Sequence, residues 1–220
     1  MYNGGMETLP LFPLNTVLFP GQLLPLHIFE PRYRQMIGEC IQHGQAFGVV
    51  LIRSGEEVGD AAEPYEVGTT AHIVQVESET DGRMNILCVG KARFRIAQLV
   101  HDKPYLSGEV ELWPWEPYAE GSADVERIRR QLDRYVHMLA EIADSKLDLS
   151  LPDDPASLAN IAASVLQVEL SEKQRLLTTP SIGAMLIDVA DLLQRELRAW
   201  QIVQASRQLS PDEASSFSLN

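Results

Sequence analysis

An apolar segment near the amino terminus, PLFPLNTVLFPG (residues 10–21), is interrupted by three prolines: Pro10, Pro13 and Pro20. Its leucine, valine and phenylalanine residues are typical of a buried strand, but proline cannot donate a hydrogen bond to a neighbouring strand. Because proline is confined to sheet edges, strand starts and bulges, the segment predicts an edge or barrel-rim strand. The next segment, QLLPLHI (residues 22–28), contains Pro25 and predicts a second such strand. Prolines at these edges block further pairing and discourage aggregation.

Turn and helix signals organise the residues that follow. Pro20 presets φ and Gly21 allows positive φ, so these two residues predict the turn between the two edge strands. Pro31 suits the first position of a helix, and Gly44 is a residue type that commonly ends one. Between them, apolar residues recur at helical spacing and form one stripe: Tyr33, Met36, Ile37, Cys40 and Ile41.

Short strands dominate the segment after this helix. They are predicted at residues 47–52, 69–77, 84–90, 93–100 and 105–113. The acidic, breaker-rich residues 53–68 predict a long exposed loop, and Asp81-Gly82 predicts a hairpin. Several short strands at close spacing, with turn residues between them, predict a small barrel or closed sandwich.

The hydrophobic period changes after residue 121, and helices take over. One helical seam begins at Val125 and ends at Ile142, and a second helix begins near Asp154-Pro155. Ser171 and Gln174 predict a capping box on a short third helix through Leu177. Ser181 is predicted to cap a long fourth helix whose apolar face reaches Trp200.

The predicted fold class is therefore α+β, with strands first and helices second. The predicted units are a disordered tail (1–7), a β-rich subdomain (8–118), a helical subdomain (119–209) and a second disordered tail (210–220). The strand-rich and helix-rich parts meet near residues 114–122, which overlap the aromatic hinge segment WPWEPY (113–118).

Charge and composition exclude several classes of function. The formal net charge is −13, and a field of that sign argues against nucleic acid or anionic lipid as the main partner. No apolar stretch approaches the roughly 20 residues that a membrane span needs, and the amino terminus lacks a secretory pattern. The two cysteines, Cys40 and Cys88, do not form a disulfide framework and read as small buried hydrophobic residues. These features predict a cytoplasmic protein.

Catalytic and cofactor motifs are absent from the sequence. We find no phosphate-binding G-x-x-x-x-G-K-[ST], no dinucleotide-binding G-x-G-x-x-G, no G-x-S-x-G and no H-E-x-x-H. The five histidines are scattered, and neither cysteine has a second cysteine at zinc-site spacing. Because no nucleophile, base or metal site converges, a binding role without cofactor or metal is favoured over catalysis.

Three separated motifs resemble the N-terminal domain of the ATP-dependent Lon protease family, and especially bacterial proteins that carry this domain alone. They are LPLFPLNTVLFPGQLLPLHIFEPRYRQMI (9–37), YEVGTTAHIVQVESETDGRMNILCVGKARFRI (65–96) and LANIAASVLQVELSEKQRLLTTPSIGAMLIDVADLLQRE (158–196). The resemblance implies a β pseudo-barrel of the PUA-like kind followed by a small helical bundle. It also implies the binding of unfolded or tagged polypeptides, with a protease or chaperone as a further partner. No ATPase or protease module follows by residue 220, so unfolding and peptide cleavage are not expected.

A polypeptide-binding module is therefore our leading hypothesis, because apolar grooves and sheet edges can hold an extended chain. The candidate binding residues are aromatic and apolar: Phe12, Leu18, Phe19, Phe29, Tyr33, Trp113, Trp115 and Tyr118. Each of them could instead serve as core between the two subdomains. Two other functions stay open: RNA binding through the PUA-like fold, which the net charge opposes, and an unrecognised small-molecule binder or enzyme.

Overall fold

The computed structural model describes residues 6–55, 62–145 and 150–208, of which 207 and 208 are described by their backbone only. Within these ranges the chain forms β1 (Glu7–Leu14), β2 (Leu23–Ile28), α1 (Pro31–His43), β3 (Phe47–Ser54), β4 (Glu63–Ser78), β5 (Met84–Val100), β6 (Ser107–Leu112), α2 (Val125–Ile142), α3 (Pro155–Val165), α4 (Leu170–Leu177) and α5 (Ile182–Gln208). This order confirms the predicted α+β class, with strands before helices. None of the described helices is both long and apolar enough to cross a lipid bilayer.

Five of the strands close into a ring. The described sheet has the order β2-β5-β4-β3-β1-β6, and an additional pairing of β5 with β6 closes it. The first half of β5 pairs with β2, whereas its second half, from Phe94 to Val100, pairs with β6. Strand β2 therefore lies outside the ring as an edge strand, as its Pro25 predicts. A buried cluster of Leu9, Leu11, Val50, Phe94 and Val110 fills the ring.

Strand β1 is not an edge strand, which corrects the sequence-based expectation. Its first half, Glu7 to Pro10, pairs with β6, and its second half, Leu11 to Leu14, pairs in parallel with β3. The Leu11 amide donates to the Leu106 carbonyl, so nitrogens at odd positions face β6 and those at even positions face β3. The nitrogen of Pro10 therefore faces β3, although this half of β1 pairs with β6. The nitrogen of Pro13 faces β6, although this half pairs with β3. This geometry explains how β1 tolerates two prolines inside a closed ring.

The predicted turn and helix signals are confirmed. Gly21 has φ of 83°, and the amide of Gln22 donates to the Phe19 carbonyl, which closes the Pro20-Gly21 turn. Helix α1 begins at Pro31 and ends at a left-handed Gly44. The β4–β5 hairpin also forms, with Ser78 opposite Met84. Its loop has five residues, and only Gly82 in it has positive φ.

Several boundaries differ from the prediction. Residues 63–68 belong to β4 and not to a loop, while 56–61 lie outside the described residues. The two strands predicted at 84–90 and 93–100 are one strand, β5, with a bulge between them. Glu7 starts β1, so the tail predicted at 1–7 is too long, and its first five residues, like the tail at 210–220, lie outside the description.

The Ser171–Gln174 capping box does not form. Glu169 occupies the N-cap of α4, and no side chain caps it. Gln174 instead donates from Nε2 to the Val67 carbonyl at 2.9 Å, so this side chain links α4 to β4 of the barrel. The Gln174 side chain therefore makes a tertiary contact in place of the predicted helix cap.

The helices share a core with one side of the barrel. The long helix α5 packs against α2, α3 and α4, and barrel residues Val17, Phe19, Leu51 and Val67 are buried in the same cluster. The predicted subdomain boundary, between residues 118 and 119, falls in the connection from Leu112 to Val125. This connection crosses from the barrel to the helices and positions the aromatic hinge segment.

Candidate functional site

A cleft of about 440 Å³ lies where the barrel meets the helices. We call it the junction cleft. Its apolar lining is formed by Pro20, Ala92, Leu112, Pro114, Trp115, Pro117, Tyr118, Ala156 and Ile182. Its polar side chains are Lys91, Arg93, Asp154 and Asn160. The volume lies within the range of about 300–1,000 Å³ that is usual for ligand pockets, and such pockets combine an apolar lining with a few polar groups.

The aromatic hinge segment is fixed in place by backbone hydrogen bonds. The amide of Glu116 donates to the Pro180 carbonyl at 3.0 Å, and the amide of Ile182 donates to the Glu116 carbonyl at 3.2 Å. The Trp115 indole donates from Nε1 to Thr179 Oγ1 at 3.3 Å. One wall of the cleft is therefore tied to the start of helix α5.

The bulge in β5 forms the opposite side of the cleft. Thr69 pairs with Arg93 and Ala71 with Gly90, so β5 has one more residue than β4 over this interval. The extra length falls at Lys91 and Ala92, both of which line the cleft. A bulge redirects the side chains beside it, and Arg93 immediately follows this one.

Arg93 connects the barrel to the helical part. Its Nε donates to the Trp113 carbonyl at 2.6 Å, and its Nη1 donates to the carbonyls of Leu177 at 2.8 Å and Thr179 at 2.7 Å. Its guanidinium also stacks on two indole rings, 3.8 Å from the Trp113 centroid and 4.2 Å from that of Trp115. Such cation–π contacts become stronger when the cation is desolvated, as it is here.

The Arg93 side chain is 2% exposed. Burial, with a smaller effect from the positive charge of Arg95, lowers the pKa of Arg93 to about 10. The guanidinium therefore remains protonated at neutral pH. Its Nη2 has no hydrogen-bond partner among the described residues, and the same is true of Oδ1 of Asn160 on the other side of the cleft.

The predicted site residues separate into two groups. Trp115 and Tyr118 line the junction cleft and are half-buried, and Trp113 packs beside them against Arg93 without lining it. Phe12 of β1 stacks on Tyr33 of α1, with the ring centroids 4.0 Å apart, and both residues are buried. Leu18 and Phe19 are also buried, which leaves Phe29, at 48% exposure, as the accessible residue of the amino-terminal group.

A smaller cleft of about 330 Å³ lies beside Phe12, Phe29 and Tyr33, along strand β2. It is distinct from the junction cleft, so the eight predicted residues do not form one surface. Phe12 and Tyr33 are buried but also line this smaller cleft with Phe29, whereas Leu18 and Phe19 are buried and line neither cleft.

Sequence reasoning missed Arg93 and Asn160. A partial signal exists for Arg93, because the β5–β6 pairing places Phe94 opposite Leu112 and so brings Arg93 next to Trp113. No local pattern distinguishes Arg93 from the exposed Arg95 two residues later, since both lie on the same face of the strand. Among the described residues, no group of three or more His, Cys, Asp or Glu side chains is placed to hold a metal ion.

Comparison with known proteins identifies relatives along most of the chain. The family model described as the ATP-dependent protease La (LON) substrate-binding domain matches residues 8–195. Lon protease 2 of Myxococcus xanthus is 31% identical over 198 residues, which cover 86% of this chain and 24% of the relative. Lon protease of Anaeromyxobacter dehalogenans is also 31% identical, with 86% and 23% covered. The chain thus spans about a quarter of the length of these curated relatives.

Two solved structures have the same fold. A Lon N-terminal domain protein from Xanthomonas campestris is 27% identical, with a TM-score of 0.63, and the match covers 88% of this chain and 98% of that one. The N-terminal domain of Lon protease from the Mycobacterium avium complex has a TM-score of 0.64, with 86% and 98% covered. At 19% identity, this second similarity concerns the fold alone.

Proposed function

Because the chain belongs to the family of ATP-dependent protease La (Lon) substrate-binding domains, we propose that it binds unfolded or tagged polypeptides at the junction cleft, without catalysing a reaction. The observation that supports this site is the meeting of Trp115, Tyr118 and two hinge prolines, Pro114 and Pro117, around one apolar cleft. Tryptophan and tyrosine provide large apolar contact areas together with one polar group each. The prolines stiffen the segment, so little conformational entropy is lost when a polypeptide binds.

The two hinge tryptophans offer a matched pair of variants. Both rings stack on Arg93, but Trp115 lines the cleft and Trp113 is not among its lining residues. We expect Trp115→Ala to weaken binding of fluorescein-labelled casein at least tenfold in fluorescence anisotropy. Trp113→Ala should lower the melting temperature through the same loss of stacking but keep the affinity of the wild-type chain. Equal affinity of Trp115→Ala and the wild-type chain, with both proteins folded, would remove the cleft from the proposed site.

The non-catalytic part of the proposal is tested separately. Purified chain incubated with ATP and with casein should give rates of phosphate release and peptide cleavage equal to those of buffer. Turnover that persists through further purification steps would contradict it. We also propose that the chain acts in the cytoplasm and presents its bound polypeptide to a protease or chaperone.

A further inference from the structure

Arg93 places a buried positive charge in the junction cleft, and among the described residues it has no ion-pair partner. Within residues 6–55, 62–145 and 150–208, no carboxylate forms an ion pair with Arg93 at 4.0 Å or less. Its three hydrogen-bond acceptors are neutral backbone carbonyls. A buried charge is costly unless it is paired, so this site favours an anion that can approach it.

Two polar groups that line the cleft have unused hydrogen-bonding capacity. Arg93 Nη2 and Oδ1 of Asn160, a residue that is 8% exposed, have no hydrogen-bond partner among the described residues; both atoms are themselves buried, so a ligand reaches them when the side chains that cover them shift. The orientation of the Asn160 amide follows from its Nδ2, which donates to the Ala156 carbonyl at 2.8 Å. A ligand that offers both a carboxylate and an N–H would complete both groups.

The other charges of the cleft do not neutralise Arg93. Asp154 lines the cleft as an anion, but it caps α3, where its Oδ2 accepts the amide of Ser157 at 2.8 Å, and it is not among the hydrogen-bond acceptors of Arg93. Lys91 adds a second, exposed positive charge beside the bulge. Two positive charges, on Lys91 and Arg93, and one negative charge, on Asp154, leave the cleft lining with one net positive charge in a chain with a formal net charge of −13.

We propose that the junction cleft binds a carboxylate group of a polypeptide, with Arg93 donating to the carboxylate and Asn160 accepting an N–H of the same polypeptide. This inference rests on the proposed polypeptide-binding function. Guanidinium suits the role because it donates charge-assisted hydrogen bonds to carboxylates and is hydrated more weakly than an ammonium group. Trp115, Tyr118 and Ile182 then cover the apolar part of the residue that carries the carboxylate.

Three unlabelled ten-residue peptides with acetylated amino termini test this with the wild-type chain in isothermal titration calorimetry, so that no dye adds a carboxylate of its own. One is an apolar sequence without Asp or Glu and with a free carboxyl terminus; the second is its carboxyl-terminal amide; the third is the amide with one internal Glu. We expect at least one carboxylate peptide to bind about tenfold more tightly than the neutral amide, a difference of about 1.4 kcal/mol. The peptide that binds more tightly identifies the source of the bound carboxylate as the chain terminus or a Glu side chain. The net negative charge of the chain opposes any such preference that arises from long-range electrostatics.

The outcomes separate this inference from the proposed function. Equal binding of all three peptides would overturn the carboxylate inference and leave polypeptide binding intact, whereas no binding of any peptide would count against both. Arg93→Gln should remove the preference for carboxylate, while Arg95→Gln, an exposed arginine that also stacks on Trp113, should retain it. If Arg93→Gln does not fold, the wild-type comparison decides alone, and Lys91→Gln should then weaken the preference only partly.

Discussion

Replacing Arg93 with Met tests how far one side chain joins the barrel to the helices. Methionine keeps an unbranched stem but cannot donate hydrogen bonds, so the carbonyls of Trp113, Leu177 and Thr179 each lose a donor. The two contacts at Leu177 and Thr179 are buried, and a buried group left without a partner costs about 1–3 kcal/mol. The Trp113 carbonyl is only partly buried, so water can replace the lost donor there.

Two further effects bear on the net change in the free energy of unfolding. Loss of the cation–π contacts with Trp113 and Trp115 costs about 0.5–2 kcal/mol. In the opposite direction, the variant no longer buries the unpartnered Nη2, which recovers about 1–3 kcal/mol. With mid-range values for these effects, the net destabilisation is on the order of 3 kcal/mol.

Thermal melting and urea unfolding measure this effect directly. For a chain of this size, about 3 kcal/mol corresponds to a fall in melting temperature of roughly 6–12 °C. Arg95→Met is the matched control, because this exposed arginine lies 4.0 Å from the Trp113 centroid and should cost less than about 1 kcal/mol. A loss below about 1 kcal/mol for Arg93→Met would show that the three carbonyls find other partners and would refute the reasoning.

Three further predictions concern backbone geometry and acid sensitivity. Gly21→Val should lower the free energy of unfolding by about 1–3 kcal/mol, because φ is 83° at this position. No described atom lies within 4 Å of the added Cβ, so the cost comes from the backbone conformation and not from a clash. An unchanged melting temperature would contradict this. Gly90→Ala should lower the free energy of unfolding by about 1–3 kcal/mol, because the added Cβ would clash with the Phe19 carbonyl. Gly38→Ala in helix α1 is the control: its Cβ would have no described atom within 4 Å, so this change should stabilise the protein by about 0.5–1 kcal/mol in the same melting experiments. Hydrogen bonds from Lys103, and then from Tyr105 and Gln35, lower the pKa of Glu39 to about 2. Its contribution to stability is therefore complete above about pH 4.5 and is lost as the pH falls towards 2, so Glu39→Gln should flatten the melting-temperature profile over that window.

Local signals in this sequence predicted local structure well. The Pro20-Gly21 turn, the start and end of α1, and the helical seams depend on residues within a few positions of one another, and the structure contains all of them. The expectation for β1 was wrong because the partners of a strand are set by the whole fold. Its prolines indicated that hydrogen-bond donors were missing, but not that each half of the strand pairs on one side only.

The same limit applies to the candidate site. Trp115 and Tyr118 were predictable, because aromatic residues and prolines cluster between the strand-rich and helix-rich parts. The role of Arg93 was not, because its burial depends on the α4–α5 connection, which includes Thr179, docking against β5 more than 80 positions earlier in the chain. Gln174 shows the same effect, because its side chain donates to the carbonyl of the distant Val67 and does not form the capping box.

The sequence allows the hinge tryptophans to be either core residues or ligand-contact residues. The geometry shows that Trp115 can have both roles at once. One part of its ring is held by Arg93 and by a hydrogen bond to Thr179, while another part lines the cleft. A side chain held in this way is preorganised, so it loses little entropy when a ligand covers its remaining surface. Loss of stability in Trp115→Ala is therefore expected whether or not the ring contacts a polypeptide. Only the comparison of affinities with Trp113→Ala, at equal folded concentration, distinguishes a contact residue from a purely structural one.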